Sequence, residues 1–281
     1  MKIFNHIPEM REFLDTCRDG AIGFVPTMGF LHEGHLSLVK ECKRLNRHGI
    51  VSIYVNPTQF SPNEDLDQYP RDLDRDLKML EDLGVDAVFV PDTNVIYPDG
   101  FSTYVSVEGL GDHLCGKSRP THFRGVTTVV LKLFNIIKPH RAYFGQKDAQ
   151  QAVIIKKMVR DLDMDVDVKA LPIVRDTDGL ALSSRNAYLS PQERQAGLAL
   201  SRALNAGKAL IDEGETKTAH IKAKMLEILE KEDLLKVDYI EIVDLKRLVP
   251  IASVIPESTL AAGAVFAGKT RLIDNFVLGE I

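Results

Sequence analysis

Cysteine is scarce in this chain and never paired: Cys17, Cys42 and Cys115 stand singly, and neither CxxC nor HExxH occurs in its 281 residues. That excludes a disulfide framework and the usual ligand spacing of zinc sites. Long apolar runs are also missing. No stretch approaches the length of a membrane span, and the start, Met1-Lys-Ile-Phe-Asn-His, lacks the apolar core of a secretion signal. Positive charge is not in excess; a net charge of −5 argues against a nucleic-acid partner. Repeats and low-complexity tracts are absent, as is any Ser-His-Asp or Cys-His constellation for covalent catalysis. What remains is a soluble cytoplasmic protein, expected to be an enzyme with no membrane partner.

Short apolar runs at 21–26, 50–56, 85–90, 141–144 and 166–174 read as strands covered on both faces, the pattern of a parallel sheet. Between them, 36–46, 71–83, 126–138 and 147–162 carry helical periodicity. Alternation of this kind predicts an α/β, Rossmann-like domain over 1–174, with ligands at the carboxyl ends of the strands. After Val174 comes a polar loop, 175–190, expected to act as hinge or lid. Helical stretches at 191–212 and 216–231 and strand-like runs at 236–243, 260–267 and 272–278 then predict a smaller α+β domain over 175–281.

The most informative segment is Pro26-Thr-Met-Gly-Phe-Leu-His-Glu-Gly-His35, between the first of these strands and the helix that follows. Free backbone N–H groups and the positive dipole end of a helix favour phosphate there. His32 and His35 share a face if the first turn is helical. Gly29 and Gly34 remove Cβ where a base or ribose would approach the backbone. A zinc pair would lack a third ligand, and a purely structural cap is the plainer alternative. A second segment weighs against the cap: Leu180-Ala-Leu-Ser-Ser-Arg-Asn186 sets two hydroxyls and a guanidinium in a row, suited to a phosphate clamp. The helix after it already has a cap in Ser190-Pro191 with Glu193.

Gly111-Asp-His-Leu-Cys-Gly-Lys-Ser118 fits the P-loop pattern GxxxxGK[ST] letter for letter. A working P-loop must open a helix, and Pro120 follows at once with no amphipathic run until about Val126, so this match reads as a coincidence.

The paired His-x-Gly-His and Ser-Ser-Arg signatures resemble the class I nucleotidyl-transfer superfamily. The finer strings resemble the pantoate–β-alanine ligase family: Pro-Thr-Met-Gly at 26–29, Asn-Pro-Thr-Gln-Phe at 56–60 and Tyr-Pro-Arg at 69–71. Further strings are Arg-Pro-Thr-His-Phe-Arg-Gly at 119–125, Tyr-Phe-Gly-Gln-Lys-Asp at 143–148 and Ser-Ser-Arg-Asn at 183–186. Two departures are Leu182 where Met is expected and Gln146 where Glu is common. The resemblance implies ATP as a substrate, activation of the pantoate carboxylate as an adenylate, and attack by β-alanine. It implies ATP contacts from Met28, Gly29, Phe30, Leu31, His32, Glu33, Gly34 and His35, from Gly145, Gln146, Lys147 and Asp148, and from Val174, Leu182, Ser183, Ser184 and Arg185. His35, His32, Lys147 and Arg185 would carry the chemistry, with His35 as proton donor. Gln59, Gln151, Met28 and Asn56 would bind pantoate and β-alanine. Mg²⁺ would ride mainly on the phosphates, with Asp76 a possible contact, although an exposed helix aspartate is the commoner reading of that position. Family members are homodimers through the first domain.

Overall fold

The computed structural model describes residues 1–62 and 64–281. The chain divides into two compact units. The first comprises 1–108, 119–145 and 154–171, and the second 109–118, 146–153 and 172–281. A single cut at 174 therefore misses two short segments, 109–118 and 146–153, that belong to the second unit.

The first unit is built on a sheet whose described strands are β1 (Lys2–Phe4), β2 (Ile22–Thr27), β3 (His48–Ile53), β4 (Ala87–Phe89), β5 (Arg141–Gly145) and β6 (Asp167–Leu171). All pairings are parallel, in the order β1-β4-β3-β2-β5-β6. Its helices include α1 (Ile7–Asp15), α2 (Glu33–Leu45), α3 (Leu73–Asp82), α4 (Thr93–Ile96) and, after α5 (Cys115–Ser118) of the second unit, α6 (His122–Ile137). Consecutive strand residues face opposite ways. Phe24, Ile50 and Phe89 pack with Met10, Val130 and Phe134 on one side, while Val25, Val51 and Val88 pack with Val39 and Leu80 on the other. Burial on both faces explains why these strands read as continuous apolar runs. The order reverses between β2 and β5, so the open crevice falls at their carboxyl ends.

The second unit holds α5 (Cys115–Ser118), the first residues of α7 (Ala149–Asp161), α8 (Pro191–Asp212), α9 (Thr218–Leu229) and an antiparallel sheet. Its strands are β7 (Leu235–Asp244), β8 (Ser258–Ala267) and β9 (Thr270–Gly279), in that order. Leu200, Leu204, Ile221, Met225, Ile240 and Val265 form its core. Gly207 of α8 lies so close to α9 that a Cβ would meet Met225 Sδ at 2.8 Å. Ser190 and Glu193 form the expected reciprocal cap on α8.

β1 and α1 have no counterpart in the sequence reading: a three-residue edge strand is too short for a periodic signal. α2 begins at Glu33, three residues earlier than expected, because His32 and not a later residue caps it. α6 begins at His122, four residues earlier than expected; Pro120 precedes the helix and so does not interrupt it. The second and fifth predicted strands are shorter than expected, ending at Ile53 and Leu171.

Candidate functional site

β2 delivers Thr27 to its carboxyl end, where Thr27 Oγ1 donates to Ser52 O (2.8 Å) and accepts Gly29 N–H (3.2 Å). Gly29 takes φ +80°, and Phe30 follows at φ +48°, an unusual conformation for an aromatic residue. Asp76 of α3 holds this double left-handed bend: its two carboxylate oxygens accept Phe30 N–H at 2.6 Å and Leu31 N–H at 2.7 Å. Arg75 donates to Leu31 O (3.0 Å) and lays its guanidinium 5.2 Å from the Phe30 ring centroid. Asp76 is 1% exposed, which overturns its reading as an exposed helix aspartate. Burial pushes its pKa up, opposed by the two backbone N–H groups.

His32 then caps α2. Its Nδ1 accepts Gly34 N–H at 3.1 Å, and His35 Nδ1 accepts His32 N–H at 3.4 Å. The rings lie 4.1 Å apart, centroid to centroid, on the shared face expected of them. The pair thus does cap the helix, and capping fixes the orientation of both imidazoles. Leu31 turns its side chain into the core, and its backbone N–H and C=O are taken by Asp76 and Arg75. Glu33 is exposed and pairs with Lys40 (3.2 Å).

Beside this turn, Pro57–Gln59 form one 3₁₀ turn after β3. Asn56 Nδ2 donates to Gln59 Oε1 (3.1 Å) and Gly125 O (3.2 Å), while its Oδ1 accepts from Tyr97 (2.9 Å) and Thr58 (3.0 Å). Asn56 therefore acts through Gln59, whose Nε2 is left facing Met28 Sδ at 3.1 Å. The Gln59 carbonyl accepts from Arg119 Nη2 (3.2 Å) and meets His122 Nδ1 (2.9 Å). Arg119 is itself clamped to Glu64 at 2.8 and 2.5 Å. Gly125 lies flat against this turn: a Cβ would sit 2.4 Å from Thr58 O.

In the second unit, Gln146–Asp148 form a single 3₁₀ turn directly after Gly145. Lys147 is largely buried, its ammonium 3.9 Å from Asp148. The adjacent glutamines separate. Gln150 is buried and ties down 109–118, accepting Cys115 N–H and donating to the carbonyls of Leu110 and His113, whereas Gln151 is half-buried. Val174 O accepts Leu182 N–H (3.0 Å). Ser183 Oγ accepts Arg185 N–H (3.3 Å), capping the short turn Ser184–Tyr188, so this serine has a capping role of its own.

Residues 111–118 do not form a phosphate loop. Only Cys115–Ser118 are helical, Cys115 N–H is taken by Gln150, and the Ser118 hydroxyl donates to Asp238 (2.9 Å). Arg119, Tyr97, Gly125 and Gln150 had no assigned role in the sequence reading. Each acts on a residue distant in the chain, and no local pattern marks that.

A parallel sheet whose order reverses at a His-x-Gly-His turn defines an α/β enzyme of the nucleotidyl-transfer class. A family model described as pantoate-beta-alanine ligase matches residues 2–277. Pantothenate synthetase from Thermosipho africanus is 57% identical over 99% of this chain and all of its own, and that from Thermotoga petrophila 54% over the same shares. The crystal structure of pantothenate synthetase from Thermus thermophilus superposes with a TM-score of 0.95 at 42% identity, covering 99% of this chain and 100% of that one. A pantoate-beta-alanine ligase from Francisella tularensis, complexed with beta-gamma ATP and beta-alanine, gives 0.81 at 35% identity, covering 99% and 97%. The chain belongs to the pantoate–β-alanine ligase family, and its activity is that of a ligase forming an amide bond.

Proposed function

We propose that this enzyme condenses (R)-pantoate with β-alanine at the expense of ATP, releasing AMP and pyrophosphate through a pantoyl-adenylate. A carboxylate is a poor acyl donor because oxide is a poor leaving group. Attack of the pantoate carboxylate on the α-phosphorus forms a P–O bond and breaks the bond to pyrophosphate. The amine of β-alanine then attacks the acyl carbon, loses a proton, and expels AMP. Such chemistry is mainly positioning and charge stabilisation.

The observation that carries this reading is the Gln59 amide 3.1 Å from Met28, the residue that opens the His32–His35 turn. A neutral amide can hold pantoate's hydroxyls and carboxylate without quenching the nucleophile as a tight arginine pair would. A nucleotidylyltransferase that stops at the adenylate would use the same amide, so it is the second step, attack by β-alanine, that separates the two readings. His32 and His35 are assigned to the triphosphate, with His35 donating a proton. Lys147, Ser183, Ser184 and Arg185 are assigned to its phosphates, and Gly145, Gln146, Asp148, Val174 and Leu182 to the nucleotide. Gln59 and Gln151 are assigned to pantoate, with Met28 against its gem-dimethyl group and Asn56 orienting Gln59.

Among the described residues, no group of three or more His, Cys, Asp or Glu is arranged to hold a metal ion. Mg²⁺ would be held chiefly by the phosphate oxygens it neutralises. Asp76 supplies hard oxygens suited to it, although its first task is the backbone of Phe30 and Leu31. No helix of the described chain is long and apolar enough to cross a membrane; the assignment to the cytoplasm and to a homodimer rests on the resemblance to the family.

Isotope exchange tests the reading. With pantoate and without β-alanine, label should pass from pyrophosphate into ATP, and β-alanine should convert the adenylate to pantothenate. Normal overall turnover with no exchange would refute the adenylate; exchange with no pantothenate would favour the nucleotidylyltransferase.

A further inference from the structure

We propose that Asp274 and Asn275, neighbours on β9, are positioning residues. They set the turn that carries Lys147 and the base of the hairpin that leads to Ser183–Arg185. The inference rests on the assignment of Lys147 and Arg185 to the phosphates, and it adds two residues assigned to none of the three substrates.

Asn275 is 4% exposed. Its Nδ2 donates at 3.0 Å to both Gln146 O and Lys147 O, and its Oδ1 accepts from Gln146 Nε2 at 3.3 Å. One buried amide thus fixes two consecutive peptide planes, and with them the origin of the Lys147 side chain. Asn is disfavoured in strand interiors, so burial in β9 needs such a use. Asp274, equally buried, accepts both arms of the Arg175 guanidinium, at 2.6 and 2.9 Å, and the Asn275 N–H at 2.8 Å. Arg175 also donates to Gly179 O (3.1 Å), and its backbone bridges Ala181. The fork therefore grips the hairpin at its base, two residues before Ser183. The Arg175 side chain is 32% exposed, so the pair adds little net stability, and fixed geometry is what it contributes.

The test is pantoate-dependent pyrophosphate–ATP exchange on Asn275→Ala, Lys147→Ala and the double variant. A parallel set uses Asp274→Asn, Arg185→Ala and their double, with calorimetry confirming each fold. Positioning predicts that Asn275→Ala lowers exchange about tenfold and raises the KM for ATP, but costs less than about twofold once Lys147 is already alanine. Asp274→Asn should behave likewise against Arg185→Ala. Asn275→Asp, of the same shape but with an acceptor facing two carbonyls, carries the test if the alanine variant does not fold. Losses that multiply in the double variants, or a common rise in the KM of all three substrates, would overturn the positioning role while leaving the phosphate assignment intact. Healthy Lys147→Ala and Arg185→Ala enzymes would instead sink that assignment, and the inference with it.

Discussion

His32 and His35 hold each other's turn: Gly34 N–H donates to His32 Nδ1, and His32 N–H donates to His35 Nδ1. A ring nitrogen that accepts a backbone N–H carries no proton, so this geometry predicts the Nε2–H tautomer for both rings in the ligand-free enzyme. Nitrogen-15 NMR of the ligand-free enzyme should show both rings as the Nε2–H tautomer, and an Nδ1–H signal from either would break this account.

Asp76→Asn should be far worse than its size suggests. One of its two terminal atoms becomes a donor facing a backbone N–H, which leaves a buried amide unsatisfied at a cost of about 1–3 kcal/mol. The strained Phe30 conformation then loses its anchor. Turnover should fall by about tenfold to a hundredfold, with a loss of stability of about 1–3 kcal/mol. Steady-state kinetics with a melting curve would check it; an unchanged kcat would show that the turn holds itself.

Arg119 and Glu64 predict a dependence of stability on pH. Burial alone would raise the Glu64 pKa, but the Arg119 hydrogen bond and charge outweigh it and hold the carboxyl below its ordinary value. The pair therefore stabilises above the ordinary glutamate pKa, and the benefit is lost as pH falls through the lowered one. Partial exposure limits it to about 1 kcal/mol. Glu64→Gln should be less stable than wild type at neutral pH and approach it at acid pH below the lowered pKa. Urea titrations at both values decide; a gap that persists in acid would point to packing and not charge.

Gly125→Ala should weaken pantoate binding specifically. The added methyl would lie 2.4 Å from Thr58 O and 2.7 Å from Gln59 N, both backbone atoms, so the turn carrying Gln59 must move. Overpacking of this kind costs about 1–3 kcal/mol. The KM for pantoate should rise about tenfold with that for ATP little changed. Equal rises in both would implicate general disruption.

Lys117→Ala, His35→Ala and Lys147→Ala should separate cleanly. His35→Ala removes a donor aimed at developing charge, a loss typically of about 10²–10³ in rate, and Lys147→Ala should group with it. Lys117 is exposed on a four-residue helix and should matter far less. A dead Lys117→Ala beside a healthy His35→Ala would overturn the assignment of the ATP site.

Strand and helix alternation, the His-x-Gly-His turn and the Ser190 cap were legible because each is a local pattern, set by side-chain period or by residues within one turn of each other. Even the α2 start was misplaced by three residues, because His32 caps only when its ring folds back on Gly34. What tertiary structure alone decided is which polar group meets which across long stretches of chain. Asp76 reaches Leu31 over 45 residues, Asn56 finds Gly125 over 69, and Asn275 grips Lys147 over 128. The phosphate-loop match at Gly111–Ser118 had already failed on Pro120; the fold adds that Gln150 accepts the Cys115 N–H and Asp238 the Ser118 hydroxyl. A buried amide or carboxylate must find a partner, and the sequence states that need without naming the partner, because the sheet order that brings them together is a property of the folded chain.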